Sequence, residues 1–183
     1  MKKISVIVSL VIIFMLSGSS SSTAGQGMIG GTTVTVEPAM TRGHEKAPVT
    51  IYEFSSYQWP FCKRVQQVLE QIQKEYGNKV RHIYKDFPLG GQIYSEPAAI
   101  AARCAAKSGK FWEYHNELYN NQSSLGPALF EQIASRLGLP MNDWKKCTED
   151  IKIKEAVRND LNEGIKLGVT GTPTFFINGK KVV

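Results

Sequence analysis

The sulfur chemistry open to this 183-residue chain rests on three cysteines, Cys62, Cys104 and Cys147. Cys62 stands at the end of Glu53-Phe54-Ser55-Ser56-Tyr57-Gln58-Trp59-Pro60-Phe61-Cys62, where a strand delivers the chain into the first turn of a helix. Backbone N–H groups there have no helical partner, and the helix dipole favours an anion. A thiolate at such a place can have its pKa lowered by several units, and two cysteines separated by two residues can close or accept a disulfide. The histidines point to no metal. His44, His82 and His115 fall in a linker, a strand and a helix, without zinc-ligand spacing beside the cysteines. His115 is expected to pack within its aromatic helix, and Trp112, Tyr114 and Tyr119 to line core or groove rather than a cofactor. No metal and no cofactor are expected.

The elements that would position Cys62 are read from periodicity. Val49 to Phe54 is a strand, and Pro60 then opens a helix in which Phe61, Val65, Val68/Leu69, Ile72 and Tyr76 share one face before Gly77-Asn78 stops it. Val80 to Lys85 is a second strand, giving a strand–helix–strand crossover on a parallel pair. A helical stretch follows. Ser95 is expected to cap a helix from about Pro97 through Ala106, and further helices run over Phe111–Tyr119, Pro127–Leu137, Asn142–Cys147 and Asp150–Leu167. Thr174 to Ile177, the turn Asn178-Gly179 and Lys180 to Val183 form an antiparallel hairpin. Ahead of all this, residues 25–46 read as a flexible Gly-rich lead (Gly25 to Gly31), an edge strand (Thr32 to Val36) and a polar stretch (Thr41 to Lys46). The order implies an α/β fold: a mixed sheet with a helical subdomain inserted at about residues 92–165.

Composition narrows the classes. Length and apolar content suit one domain with its own core, three cysteines are too few for a disulfide scaffold, and no fixed-period repeat is present. Lys2-Lys3 followed by the apolar run Ile4 to Leu16 and by Ser22-Thr23-Ala24 reads as a signal peptide, residues 1–24, too short to span a bilayer as a helix. Export to an oxidising compartment, the bacterial periplasm or its equivalent, is expected. Leu16-Ser17-Gly18-Ser19 has Ser19 where a lipoprotein signal needs Cys, so no lipid anchor is expected. Losing Lys2 and Lys3 with the leader lowers the net charge from +6 to +4, and the remaining cations are dispersed, so no nucleic-acid partner is expected.

From Ala47 to the C-terminus the chain resembles the DsbA-like branch of the thioredoxin superfamily. The likeness is carried by Pro60-Phe61-Cys62, Lys85-Asp86-Phe87-Pro88-Leu89, Ala101-Ala102-Arg103-Cys104, Gly109-Lys110-Phe111-Trp112-Glu113-Tyr114-His115 and Gly168-Val169-Thr170-Gly171-Thr172-Pro173-Thr174-Phe175-Phe176, in that order. The resemblance implies a thioredoxin-like fold over residues 47–183 acting on thiols and disulfides of exported proteins, with a membrane redox partner among the implied partners. It implies that Thr172-Pro173 is a cis-proline element offering backbone to substrate, and that Glu53 and Lys85 form a proton relay, the alternative being an ion pair at the sheet edge. The sequence departs from the family at one place. The attacking cysteine belongs at position 59, which is Trp59, so Cys62 matches only the shielded resolving cysteine. Dithiol exchange is then disabled, leaving either a disabled oxidoreductase or a non-catalytic module that binds extended or unfolded polypeptide; one-thiol chemistry at Cys62 is a weaker option. A Cys104–Cys147 bond is expected in preference to two buried free thiols, since closing a loop of that length stabilises by roughly 4 kcal/mol in the entropic model. Family members continue past the hairpin into a helix that covers the sheet; the chain given has none after Val183, and an uncovered face is expected.

Overall fold

The computed structural model describes residues 24–182. The leader reading and the Ser19 position lie outside those residues. The strand–helix–strand reading is realised as β4 (Val49–Ser55), α1 (Pro60–Tyr76) and β5 (Val80–Asp86), with β4 and β5 parallel in the register Glu53 to Tyr84 and Phe54 to Lys85. Five helices follow: α2 (Ser95–Ala106), α3 (Phe111–Asn120), α4 (Pro127–Arg136), α5 (Met141–Glu149) and α6 (Ile151–Lys166). Strand β6 (Thr174–Ile177) then returns antiparallel to β4, and β7 (Lys180–Val182) folds back on it through Asn178 and Gly179, both at positive φ as a tight hairpin turn requires. The main sheet has the order β3-β5-β4-β6-β7, β3 being Thr41–Arg42. This is a mixed α/β fold with the helical block between β5 and β6.

The N-terminal part differs from the sequence reading. Gly25–Ile29 is not a flexible lead but strand β1, paired along its length with β2 (Thr32–Val36). Gly30 and Gly31, at φ +53° and +86°, make the turn between them. The ribbon persists because its inner side chains Ile29, Val34 and Val36 pack on Tyr52, Phe54, Ile83 and Phe176 of the main sheet. The hairpin and α6 thus cover one face of the sheet. Gly164 lets α6 come close: a Cβ there would lie 2.7 Å from the Phe87 ring and 3.0 Å from that of Phe54. The polar stretch after Pro38 also hides a short strand, β3 (Thr41–Arg42), on the edge beside β5.

On the opposite face, Tyr57, Cys62 and Tyr84 join the apolar residues of α2 to α5 in the larger core. The apolar face of α1 read from the sequence is buried only in part, through Leu69, with Val65 and Ile72 half-buried. Phe61, Val68 and Tyr76 are each about half exposed, at 52%, 51% and 48%, while Cys62, Gln66 and Leu69 face inward. Two polar anchors set this rotation, Gln66 bonding to Glu53 at 2.7 Å and Ser56 N–H reaching Cys62 Sγ at 3.5 Å. Ile177 and Val182, on β6 and β7, are also partly exposed. Ser95 is the first helical residue of α2 rather than its cap, because its hydroxyl bonds to Gln92 Oε1 and Ser56 Oγ, both at 2.8 Å.

Candidate functional site

Strand β4 ends at Ser55, and the four residues Ser56 to Trp59 turn the chain into α1. Trp59 occupies the cap position with extended backbone, its N–H bonding to Ser56 O at 3.2 Å, and Pro60 fills the first helical position, where no N–H is needed. The carbonyl of Trp59 accepts from the N–H groups of Cys62 and Lys63 and from Gln122 Nε2 at 3.0 Å. Gln122 also donates to the Tyr57 carbonyl at 2.7 Å, so a side chain from the 3-10 turn after α3 latches the whole turn. Nothing in the local sequence of Gln122 signals this. The Trp59 indole is half-buried against the larger core and stacks on Phe61 at 5.5 Å, and the Arg64 guanidinium lies over Phe61 at 4.2 Å.

Cys62, the free cysteine among the described residues, is fully buried at 0% exposure. Burial pushes its thiol pKa up, against the Ser56 N–H and the nearby Ser55 and Thr172 hydroxyls, which favour the thiolate; the Glu53 carboxylate raises it further. Thr172 brings the segment ahead of β6 to the sulfur, and the Thr172–Pro173 peptide bond is cis. Cys104 of α2 and Cys147 of α5 form a disulfide, their Cα atoms 5.7 Å apart. It lies in the helical block and takes no part in the turn.

Glu53 and Lys85 are not brought together. Strand alternation sends Glu53 to the face carrying α1 and α3 and Lys85 to the face carrying α6. There Lys85 is a buried cation between Asp160 and Glu163 and donates to Thr35 O at 2.8 Å, which ties the N-terminal hairpin to the sheet. Neither the relay pair nor the sheet-edge ion pair expected from the sequence exists as such. The real partners of Glu53 are His82 at 2.8 Å and Gln66 at 2.7 Å. Burial is the largest influence on Glu53 and opposes its charge, yet the His82 contact and the nearby His115 hold the carboxyl below its ordinary range. His115 packs among aromatic rings as expected, and it also bonds to Tyr57 and Gln66. Among the described residues, no group of three or more His, Cys, Asp or Glu side chains is placed to hold a metal.

The family model described as thioredoxin matches residues 35–183. The chain belongs to the thioredoxin family. A thioredoxin-like oxidoreductase from Silicibacter pomeroyi superimposes with a TM-score of 0.72 at 26% identity, covering 79% of this chain and 83% of its own. The α-DsbA1 protein of Wolbachia pipientis gives 0.70 at 26% identity over 78% and 81%. BdbD from Bacillus subtilis, at 24% identity, shares the fold with a TM-score of 0.72 over 88% and 89%. This thioredoxin-family chain is accordingly a DsbA-like member of the superfamily. A curated relative, the Na(+)/H(+) antiporter NhaA 3 of Salinispora tropica, is 33% identical over 141 residues, which is 76% of this chain but 22% of the antiporter. The thioredoxin-family chain thus spans about a fifth of the length of the curated relatives it matches. Among its described residues no helix is long and apolar enough to cross a membrane.

Proposed function

We propose that this chain is an exported DsbA-like thiol–disulfide module in which dithiol exchange is disabled, Trp59 standing where the family carries its attacking cysteine. The observation that carries the reading is the first turn of α1: an indole at the cap position, followed three residues later by a fully buried thiol. Exchange needs an accessible thiolate to attack the substrate disulfide and a second thiol to resolve the mixed disulfide. Cys62, buried and with its pKa pushed up, suits only the second task.

In this reading the partners are thiol-bearing or unfolded exported proteins, contacted along Thr172 and Pro173, and a membrane redox protein that would recharge an intact pair. Glu53 remains in the reading as the acid beside Cys62, and Lys85 does not, since it faces α6. Antiport is not carried over from the curated relatives, because the match covers so little of them.

The test is disulfide transfer to a reduced, unfolded substrate by the parent and by Trp59→Cys. Turnover by the Cys variant alone is expected, and substantial turnover by the parent overturns the reading. A second reading, a non-catalytic module for extended polypeptide, is favoured by the partly exposed stack of Trp59, Phe61 and Arg64 at the helix mouth. Saturable binding of an unfolded, cysteine-free peptide by the parent, weakened in Phe61→Ser, would select it.

A further inference from the structure

Six side chains from six parts of the fold form a hydrogen-bonded chain beside Cys62, and the polarity of every link can be assigned. Arg42, on edge strand β3, has only donors, so its Nε–H at 3.1 Å requires a lone pair on His82 Nδ1. His82 is therefore neutral and carries its proton on Nε2, which it donates to Glu53 Oε2 at 2.8 Å. Gln66 Nε2 donates to Glu53 Oε1 at 2.7 Å and to the Cys62 carbonyl at 3.3 Å; the reverse amide orientation would set two acceptors against each other. This leaves Gln66 Oε1 to accept from His115 Nε2 at 3.1 Å, and His115 Nδ1 to accept the Tyr57 hydroxyl at 3.0 Å. All the donors converge on Glu53, and both of its oxygens are filled.

The two arms differ in whether they can reverse. A proton reaching Glu53 Oε1 could be accommodated if Gln66 turned over, His115 changed tautomer and Tyr57 rotated its hydroxyl. A proton reaching Oε2 would meet the His82 N–H. His82 could give way only by moving its own proton to Nδ1, against the N–H of Arg42. The guanidinium is held in place from its other side, with its carbon 4.3 Å from the centre of the Trp112 ring.

We infer that Arg42 is a positioning residue: from the edge strand it fixes the tautomer of His82 and so closes the Oε2 side of Glu53, beside Cys62, to protonation. The inference rests on hydrogen-bond geometry and holds whether or not Cys62 ever exchanges disulfides. The other titratable groups facing the chain are Cys62 on α1, Tyr84 on β5 and Tyr119 on α3, while Glu70 of α1 acts on Arg42. Burial and Arg42 both hold His82 below its ordinary range, in keeping with a neutral ring.

The test uses side-chain 15N spectra of the histidines and 13C carboxyl titration of Glu53, in the parent, Arg42→Leu and Arg42→Lys. In the parent, His82 should show Nε2–H and an unprotonated Nδ1 throughout the pH range of the fold. In Arg42→Leu, the Nδ1–H tautomer should appear as Glu53 takes up its proton, and the Glu53 midpoint should rise by about one pH unit, a tenfold gain in proton affinity. Arg42→Lys, again donor-only, should restore the parent tautomer. If Arg42 acted through its charge alone, the midpoint would rise in Arg42→Leu with no Nδ1–H tautomer on His82, an outcome that also overturns the inference. An Nδ1–H signal on His82 in the parent, or an unmoved or lowered Glu53 midpoint in Arg42→Leu, overturns the inference. The parent spectrum decides the tautomer even if Arg42→Leu does not fold.

Discussion

At the scale of single residues, the site joins an indole at the helix cap to a set of buried titratable groups. Trp59 closes the helix mouth, and behind it Cys62, Glu53, His82 and His115 are all buried. His115 shows what this environment does to a titratable ring, since burial pushes its pKa from 6.5 down to about 3. The unfolded chain takes up this proton near pH 6.5 and the folded one only near pH 3. The stability that comes from keeping the ring neutral is therefore complete above pH 6.5 and is lost as pH falls toward 3, at about 1.4 kcal/mol per pH unit. His115→Gln keeps a donor and an acceptor for Gln66 and Tyr57 but cannot titrate. Its urea-unfolding free energy should fall less steeply than the parent's between neutral pH and pH 4, and equal slopes would show that His115 does not set the acid response.

Among the elements, the joint between α6 and the rest is ionic as well as apolar. Asp160 accepts from Lys85 and Arg103 and from the Asp86 N–H at 3.0 Å, while Glu163 takes both the N–H and the hydroxyl of Thr35 from the hairpin, at 2.9 and 2.7 Å. Breaking a buried pair strands its partner, so Asp160→Asn should cost about 3–5 kcal/mol in denaturant unfolding. A loss below about 1 kcal/mol would place this cluster with ordinary surface pairs. The same elements show what could be read in advance. The β4–α1–β5 unit and the later helices were legible because their apolar spacing and their Gly and Pro stops are local signals. The first hairpin was not, because a Gly-rich strand looks flexible until the sheet it covers is known. The placement of Cys62 and Trp59 at the helix mouth was legible from one junction, whereas the partners of Glu53 come from β5 and α1 and share no spacing. Lys85 was misassigned for a related reason: one step along a strand moves a side chain to the other face.

Over the whole molecule, two cores are secured by different means. The helical block has the Cys104–Cys147 bond, closing a separation of 43 residues, and its removal in Cys104→Ala/Cys147→Ala should cost roughly 4 kcal/mol in thermal or denaturant unfolding. A negligible change would mean that the unfolded chain gains little freedom when the bond is absent. The sheet has no such tie and depends on distant partners. Asn178 Oδ1 accepts the Thr50 N–H at 2.8 Å across 128 residues, at the corner where β6 runs beside β4. A polypeptide emerging N-terminus first would hold β4 and β5 ready, with one flank unzipped, until nearly all the rest had emerged. Non-local closure of this kind is slow. During that interval the open flank of β4 is available to holdases, and to sister chains at the same stage, so the yield of folded protein should respond to chaperone supply.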